Sequence, residues 1–367
     1  MLSSEGLSRS VALLVRGAMQ SSGGVIVQNL KKHLINFGFT AEAITVKKEK
    51  RAKNLLPQEG ARLITYSHNF LKHFFLSHRI GRYTLYHSES YDLFALMKRL
   101  RPFVITVHDL AFLRTKNIHD EERTEYLYHE YLRAKEADAV ICVSDNTKKD
   151  VLELLGVKPE KVFVIAVGVD NELFRVREKS EARAELNLPQ SKRIILNIGS
   201  ERPNKNIKTL LEIFAIVKKE LPDVLLLRIG PKEETTDELI EEMEIGDSVI
   251  RTGIIAGSPH LYYNAADVYL CTDIYAGFGM PNLEAMASGC PVVTSNGGAI
   301  PEVVADAAVM FDPFDSKTAA DAVVKILNDA KTAQLLAIRG LERAKKFDWH
   351  KIAEQTASVY KLVLGKE

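Results

Sequence analysis

Cysteine is scarce in this 367-residue chain: Cys142, Cys271 and Cys290 are the only three. Their odd number and lack of metal-ligand spacing exclude a disulfide framework and a structural zinc site. Long hydrophobic runs are also missing. Val11 to Val15, Ile194 to Leu196 and Val224 to Leu227 fall far short of the ~20 residues of a membrane-spanning helix. The apolar stretch after Arg9 is cut at Arg16 with no small-residue cleavage site beyond it, so it reads as a first strand, not a secretory signal. A reducing cytoplasm is the expected location. What the sequence does have is 46% hydrophobic and 26% charged residues, enough to bury two ordinary cores. That balance excludes disorder, collagen and a coiled coil as its main character.

The net charge of +1 conceals an asymmetry, because residues 1–101 carry sixteen Lys/Arg against six Asp/Glu and the remainder is correspondingly acidic. A basic N-terminal part suggests an anionic partner surface such as phospholipid, a phosphate-bearing acceptor or nucleic acid; a solvated face without partner is the bland alternative. Between Tyr66 and Arg101, Phe70, Phe74, Phe75, Tyr83 and Tyr86 interleave with Lys72, Arg79, Arg82, Lys98 and Arg99. Such a surface suits a peripheral membrane interface, although aromatics near a parallel sheet are commonly core.

Short β-rich runs alternate with helical periodicity in two series, the pattern of βα units wound into parallel sheets. The spacing predicts an α/β protein with an acceptor-side domain over 1–174, a polar linker over 175–190 and a second domain over 191–346. A final amphipathic helix over 347–367 needs a surface to cover. Open parallel sheets bind ligands beyond the carboxyl ends of their strands, so chemistry is expected in loops that follow strands, and in the cleft that two facing sheets would make. A dinucleotide-dependent dehydrogenase is disfavoured, since no Gly-x-Gly-x-x-Gly follows the first strand with an acid ~20 residues on.

The most informative stretch runs from Tyr275 through Ala276, Gly277, Phe278, Gly279, Met280 and Pro281 to Glu284 and on to Val293. Two glycines just ahead of a helix expose its first N–H groups, which favour phosphate or sugar oxygens; a tight turn needing glycine for geometry alone is the structural alternative. Over its full length to Val293, the stretch resembles the signature of family 4 glycosyltransferases, Glu-Gly-Phe-Gly-x-Pro-x-x-Glu-Ala-Met-Ala-x-Gly-x-Pro-Val-Val. The resemblance implies retaining, metal-independent enzymes of GT-B architecture, with two facing Rossmann-like domains and a C-terminal helix crossing back to the first. It implies that Glu284 accepts from ribose hydroxyls. The first glutamate of the family's pair is replaced by Ala276, removing a charged contact to the transferred sugar, so impaired transfer is expected. A natural variant or an introduced substitution would give this pattern, and the intact surroundings favour the latter.

Other matches lie just beyond strands. Gly199 to Asn206 contains Arg202 and Lys205, which the resemblance assigns to the donor diphosphate. The family often sets its arginine beside the lysine or after the glycine, where Asn204 and Ser200 stand here. Gly23 and Gly24 are expected in a loop before a helix over 25–37, near donor phosphate. His108 ends another strand and is expected beside the reacting sugar, with a turn cap as the alternative. His87-Ser88-Glu89 and Val143-Ser144 are weaker candidates to face an acceptor. Pro301-Glu302 reads as helix capping, and Phe347-Asp348-Trp349 resembles the opening of the family's terminal helix.

Together these imply a hexosyltransferase using a UDP- or GDP-sugar and a glycan or lipid-linked hydroxyl acceptor. No cofactor, catalytic metal or nucleic-acid partner is implied. A non-catalytic nucleotide-sugar-binding protein, which Ala276 makes credible, and a phosphorylase of the same architecture are the alternatives.

Overall fold

The computed structural model describes residues 9–16, 22–48, 61–66, 72–115, 118–255, 257 and 259–365. The chain divides into two compact units, Met1–Leu110 with Asp120–Gly168 and Trp349–Glu367, and Ala111–His119 with Val169–Asp348.

The first unit holds β1 (Arg9–Arg16), β2 (Phe39–Lys48), β3 (Ala61–Tyr66), β4 (Leu85–Ser88), β5 (Phe103–Val107), β6 (Ala139–Cys142) and β7 (Val162–Val164). Consecutive residues Val11 to Val15 are all buried, as expected of a strand covered on both faces. The sheet is parallel throughout, in the order β3-β2-β1-β4-β5-β6-β7. The helix Trp349–Leu364 belongs to this unit and packs on the helix Ser22–Leu34. It buries Trp349, Ile352, Ala353, Thr356, Ala357, Val359, Tyr360 and Val363, the stripe that its spacing requires.

The second unit holds β8 (Arg193–Ile198), β9 (Val224–Ile229), β10 (Val249–Gly253), β11 (Val268–Cys271), β12 (Val292–Ser295) and β13 (Val309–Phe311). It is again parallel, in the order β10-β9-β8-β11-β12-β13. The helix Ile207–Glu220 covers it with Leu210, Leu211, Ile213, Phe214 and Val217. Both sheets reverse their order of winding beside the first strand, between β1 and β4 and between β8 and β11. Those are the points where an open α/β sheet leaves a crevice for ligand.

Three expectations need correction. Gly23 and Gly24 lie in the first turn of the helix Ser22–Leu34 rather than in a loop, and residues 35–37 form a separate 3₁₀ turn. The segment 175–190 is not a free linker but carries the helix Lys179–Glu185. Its buried Arg183 donates to the carbonyls of Ala265, Gln190 and Lys192 and pairs with Asp267 at 2.7 Å, which stitches it into the second unit. In the basic-aromatic stretch, Tyr86 is core and stacks near Phe103, whereas Phe75 is exposed. Phe70 lies outside the described residues, as do the side chains of Lys72 and Phe74. The three cysteines are buried free thiols.

Candidate functional site

In the second unit, three loops at strand ends are bound into one group. The loop after β8 closes on a 3₁₀ turn, Pro203–Lys205, in which the Lys205 N–H donates to the Arg202 carbonyl at 2.8 Å. Its Asn204 accepts from the Ile274 N–H at 2.8 Å and donates through Nδ2 to the Tyr275 carbonyl at 3.2 Å. Thr272 donates to the Lys205 carbonyl at 2.9 Å, and the Lys205 ammonium pairs with the Asp273 carboxylate. The loop after β12 joins them: Ser295 donates to the Asp273 carbonyl at 2.6 Å, and the Ala299 N–H to the Ala276 carbonyl at 2.9 Å. Lys205 and Asp273 thus straddle the point between β8 and β11.

Gly279 takes a left-handed φ of 90° and caps the helix Met280–Ala287, with Pro281 in its first turn, so the backbone turns sharply where the helix amides open. Gly298, at φ 62°, lies so close to residue 276 that a Cβ there would stand 2.4 Å from the Ala276 carbonyl oxygen. Ala276 itself is buried. The Phe278 ring is also buried and meets Phe347 edge-on at 5.7 Å, leaving its backbone, not its ring, at the turn. Asn282 is fully buried in the first turn of that helix, and neither polar atom of its side chain has a hydrogen-bond partner among the described residues.

Glu284 lies on the same helix, half-buried, and accepts from the Tyr263 hydroxyl at 2.8 Å. Burial pushes its carboxyl up to about 7, against the opposing pull of that hydrogen bond. Arg202 is exposed and takes part through its carbonyl. Gly199 stands at the end of β8, and a Cβ there would meet the Lys205 stem at 3.9 Å. Sequence reasoning passed over Asp273, Tyr263 and Glu201. The side chain of the last is 2% exposed and accepts from Arg251 at 2.9 Å, Thr236 at 2.7 Å and the Glu233 N–H at 3.1 Å, which ties the loop after β8 to β10. A lone acid between Ser200 and Arg202 reads as solvated, and no local pattern betrays its partners.

In the first unit, the other reversal point gathers Gly23, Glu89 and His108. A Cβ at Gly23 would lie 3.9 Å from that of Glu89, and the Glu89 carboxylate is 3.0 Å from His108 Nε2. His87 and Ser88, expected toward an acceptor, are instead buried: His87 Nδ1 is 2.6 Å from the Tyr360 hydroxyl of the terminal helix. Ser144 is buried too, its hydroxyl accepting from the Thr147 N–H at 3.0 Å as a helix cap.

Residues 178–343 match the family described as glycosyl transferases group 1, and residues 23–173 match glycosyltransferase family 4. Among relatives, alpha-maltose-1-phosphate synthase of Mycolicibacterium smegmatis is 30% identical, over 71% of this chain and 73% of that one. O-antigen chain mannosyltransferase B of Escherichia coli is 29% identical, over 76% and 74%. Among solved structures, sucrose-phosphate synthase from Thermosynechococcus elongatus superposes with a TM-score of 0.83 at 24% identity, covering 98% of this chain and all of that one. HepE of Anabaena in complex with UDP-glucose gives 0.80 at 18%, covering 96% and 99%. These likenesses establish the GT-B type of Rossmann-like α/β fold. With both units matched along most of their length and the signature falling on the loops just described, the chain belongs to glycosyltransferase family 4.

Proposed function

We propose that this glycosyltransferase moves a hexosyl group from a nucleoside diphosphate sugar to a hydroxyl of a glycan or lipid-linked acceptor, with retention at the anomeric carbon. One observation carries the reading: the Lys205–Asp273 pair at the reversal point of the second sheet, beside the opening of the helix Met280–Ala287. An ammonium and the opening turn of a helix suit a diphosphate, and would stabilise the charge that grows on it as the glycosidic bond breaks. Asp273 holds the ammonium in place until phosphate shares it. Asn282, its side chain buried without a partner among the described residues, supports a polar ligand near the Gly279 turn. Glu284, steadied by Tyr263, accepts from the ribose hydroxyls.

Retention results from attack on the face the diphosphate leaves, with that diphosphate assisting removal of the acceptor proton; Lys205, Arg202 and the amides after Gly277 meet its charge, and the reading assigns no metal or cofactor. Gly23, Gly24 and His108 of the first unit serve the sugar. The UDP-glucose complex of HepE and the mannosyltransferase among the relatives favour a UDP- or GDP-hexose. The basic excess of residues 1–101 suits a phosphate-bearing acceptor at the inner face of a membrane, with Phe75, Arg79, Arg82, Lys98 and Arg99 exposed there. Among the described residues, no helix is long and apolar enough to cross a membrane.

A thermal-shift screen with UDP-, GDP- and ADP-hexoses tests the reading. One donor class should raise the melting temperature, and Lys205→Ala should abolish the rise; no shift with any of them would remove the basis for sugar transfer. Ala276 favours a second reading, a nucleotide-sugar-binding protein without turnover. Ala276→Glu should improve transfer by about 1.5–3 kcal/mol, roughly 10- to 150-fold, the worth of a charged hydrogen bond. Donor binding with no turnover even in that variant would select the second reading.

A further inference from the structure

Glu89 is among the buried acids of the first unit that the proposed reaction leaves unused. Glu89 comes directly after β4 and its side chain is 1% exposed. Its two oxygens face different partners. Oε2 lies 3.0 Å from His108 Nε2, and both atoms are closed to solvent. Oε1 accepts from the Thr106 hydroxyl at 2.9 Å, with His87 Nε2 3.3 Å away. Thr106 Oγ1 is in turn 2.8 Å from His87 Nε2, and His87 Nδ1 is 2.6 Å from the Tyr360 hydroxyl.

With His87 neutral, one arrangement of protons satisfies this chain. A carboxylate accepts only, so Thr106 donates to Glu89, His87 donates from Nε2 to Thr106, and Tyr360 donates to His87 Nδ1. His108 faces the other oxygen through Nε2, as the ion-pair partner of the carboxylate. We propose that Glu89 is a positioning residue for glycosyl transfer: it commits the Nε2 edge of His108 to the interior, so that Nδ1 is the one ring nitrogen offered to a hydroxyl of the transferred sugar. The assignment rests on the sugar-transfer reading above. The His108 side chain is 32% exposed, so its remaining edge is open.

The charges agree with the geometry. Burial would push the Glu89 carboxyl up, but His108, His87 and Thr106 outweigh it and hold the group lowered. Burial would lower His108, but the Glu89 carboxylate and then Asp109 raise it above the ordinary histidine value. His87 is lowered by burial, against the pull of Glu89, and stays neutral. His108 therefore remains an imidazolium further up the pH scale than a free histidine, and Nδ1–H acts as a donor.

NMR titration of the His108 ring, assigned by comparison with His108→Asn, tests the pairing in the full chain. The wild-type midpoint should lie above that of a free histidine peptide, and in Glu89→Gln it should fall to that value or below. In parallel, Glu89→Gln should lower kcat/KM for the nucleotide sugar by about tenfold, leave the affinity for the nucleoside diphosphate alone unchanged, and move the basic limb of the pH–rate profile to lower pH. A wild-type midpoint at or below the peptide value overturns the assignment without any variant having to fold. So does a titration or a pH profile that Glu89→Gln leaves in place. Wild-type protein that titrates as stated yet turns over no nucleotide sugar overturns the transfer reading, and with it the role of His108 toward a sugar.

Discussion

Glu284 has to bind hydroxyls from a place that disfavours its charge. Burial holds its carboxyl near 7, so the neutral acid prevails below that pH and the carboxylate above it. The sign is opposite for fold and ligand. A carboxyl raised on folding stabilises the fold in its protonated form, and that contribution is lost as pH rises through about 7. Ribose binding needs the carboxylate, so affinity for the nucleoside diphosphate should weaken as pH falls below about 7, by up to about tenfold per unit. Calorimetric titrations at acidic, neutral and alkaline pH should show this in the wild type and a weak, flat response in Glu284→Gln. Because the Tyr263 hydrogen bond lowers the carboxyl, Tyr263→Phe should move the midpoint upward. A pH-independent wild-type affinity would separate Glu284 from the ligand.

At the scale of elements, the turn after β12 and the turn before the helix Met280–Ala287 are locked by backbone contact. Gly298 occupies a left-handed conformation against the Ala276 backbone, so Gly298→Ala adds both strain and a clash. It should cost about 2–4 kcal/mol in denaturant unfolding and displace the donor turn, weakening nucleotide binding as well. Wild-type stability in that variant would contradict the close approach. The strands and the terminal helix were legible because buried runs and a 3.6-residue stripe are local properties of sequence. Gly23 and Gly24 misled because glycine's low helix propensity argues for a loop, while packing at the end of β1 keeps them helical. Arg183 made residues 175–190 look solvated, yet its guanidinium makes four hydrogen bonds to carbonyls and a carboxylate across the second unit. Lys205 and Glu284 were readable from the signature. Asp273 and Tyr263 were not, and Glu89 could be read only as a weak candidate to face an acceptor, since what makes each matter is a partner elsewhere along the chain.

At the scale of the whole molecule, the first unit is assembled from separated stretches of chain, and its last contribution is the helix Trp349–Leu364. That helix buries eight side chains and reaches the interior through Tyr360, which meets His87 at 2.6 Å and Phe39 edge-on at 5.4 Å. At about 1.5–3 kcal/mol for each large apolar side chain buried, removing it would erase stability comparable to a whole domain's. A chain ending at Asp348 should therefore lose the cooperative unfolding of the first unit while the second still melts as one, as differential scanning calorimetry would register. A single transition like that of the full chain would refute this.

The order of the chain also gives protein synthesis a timetable. While residues 169–348 emerge from the ribosome and can already collapse into their own sheet, the earlier unit waits with an apolar groove uncovered. Its completion falls after translation of the later unit, which makes the nascent first half a natural client for chaperones.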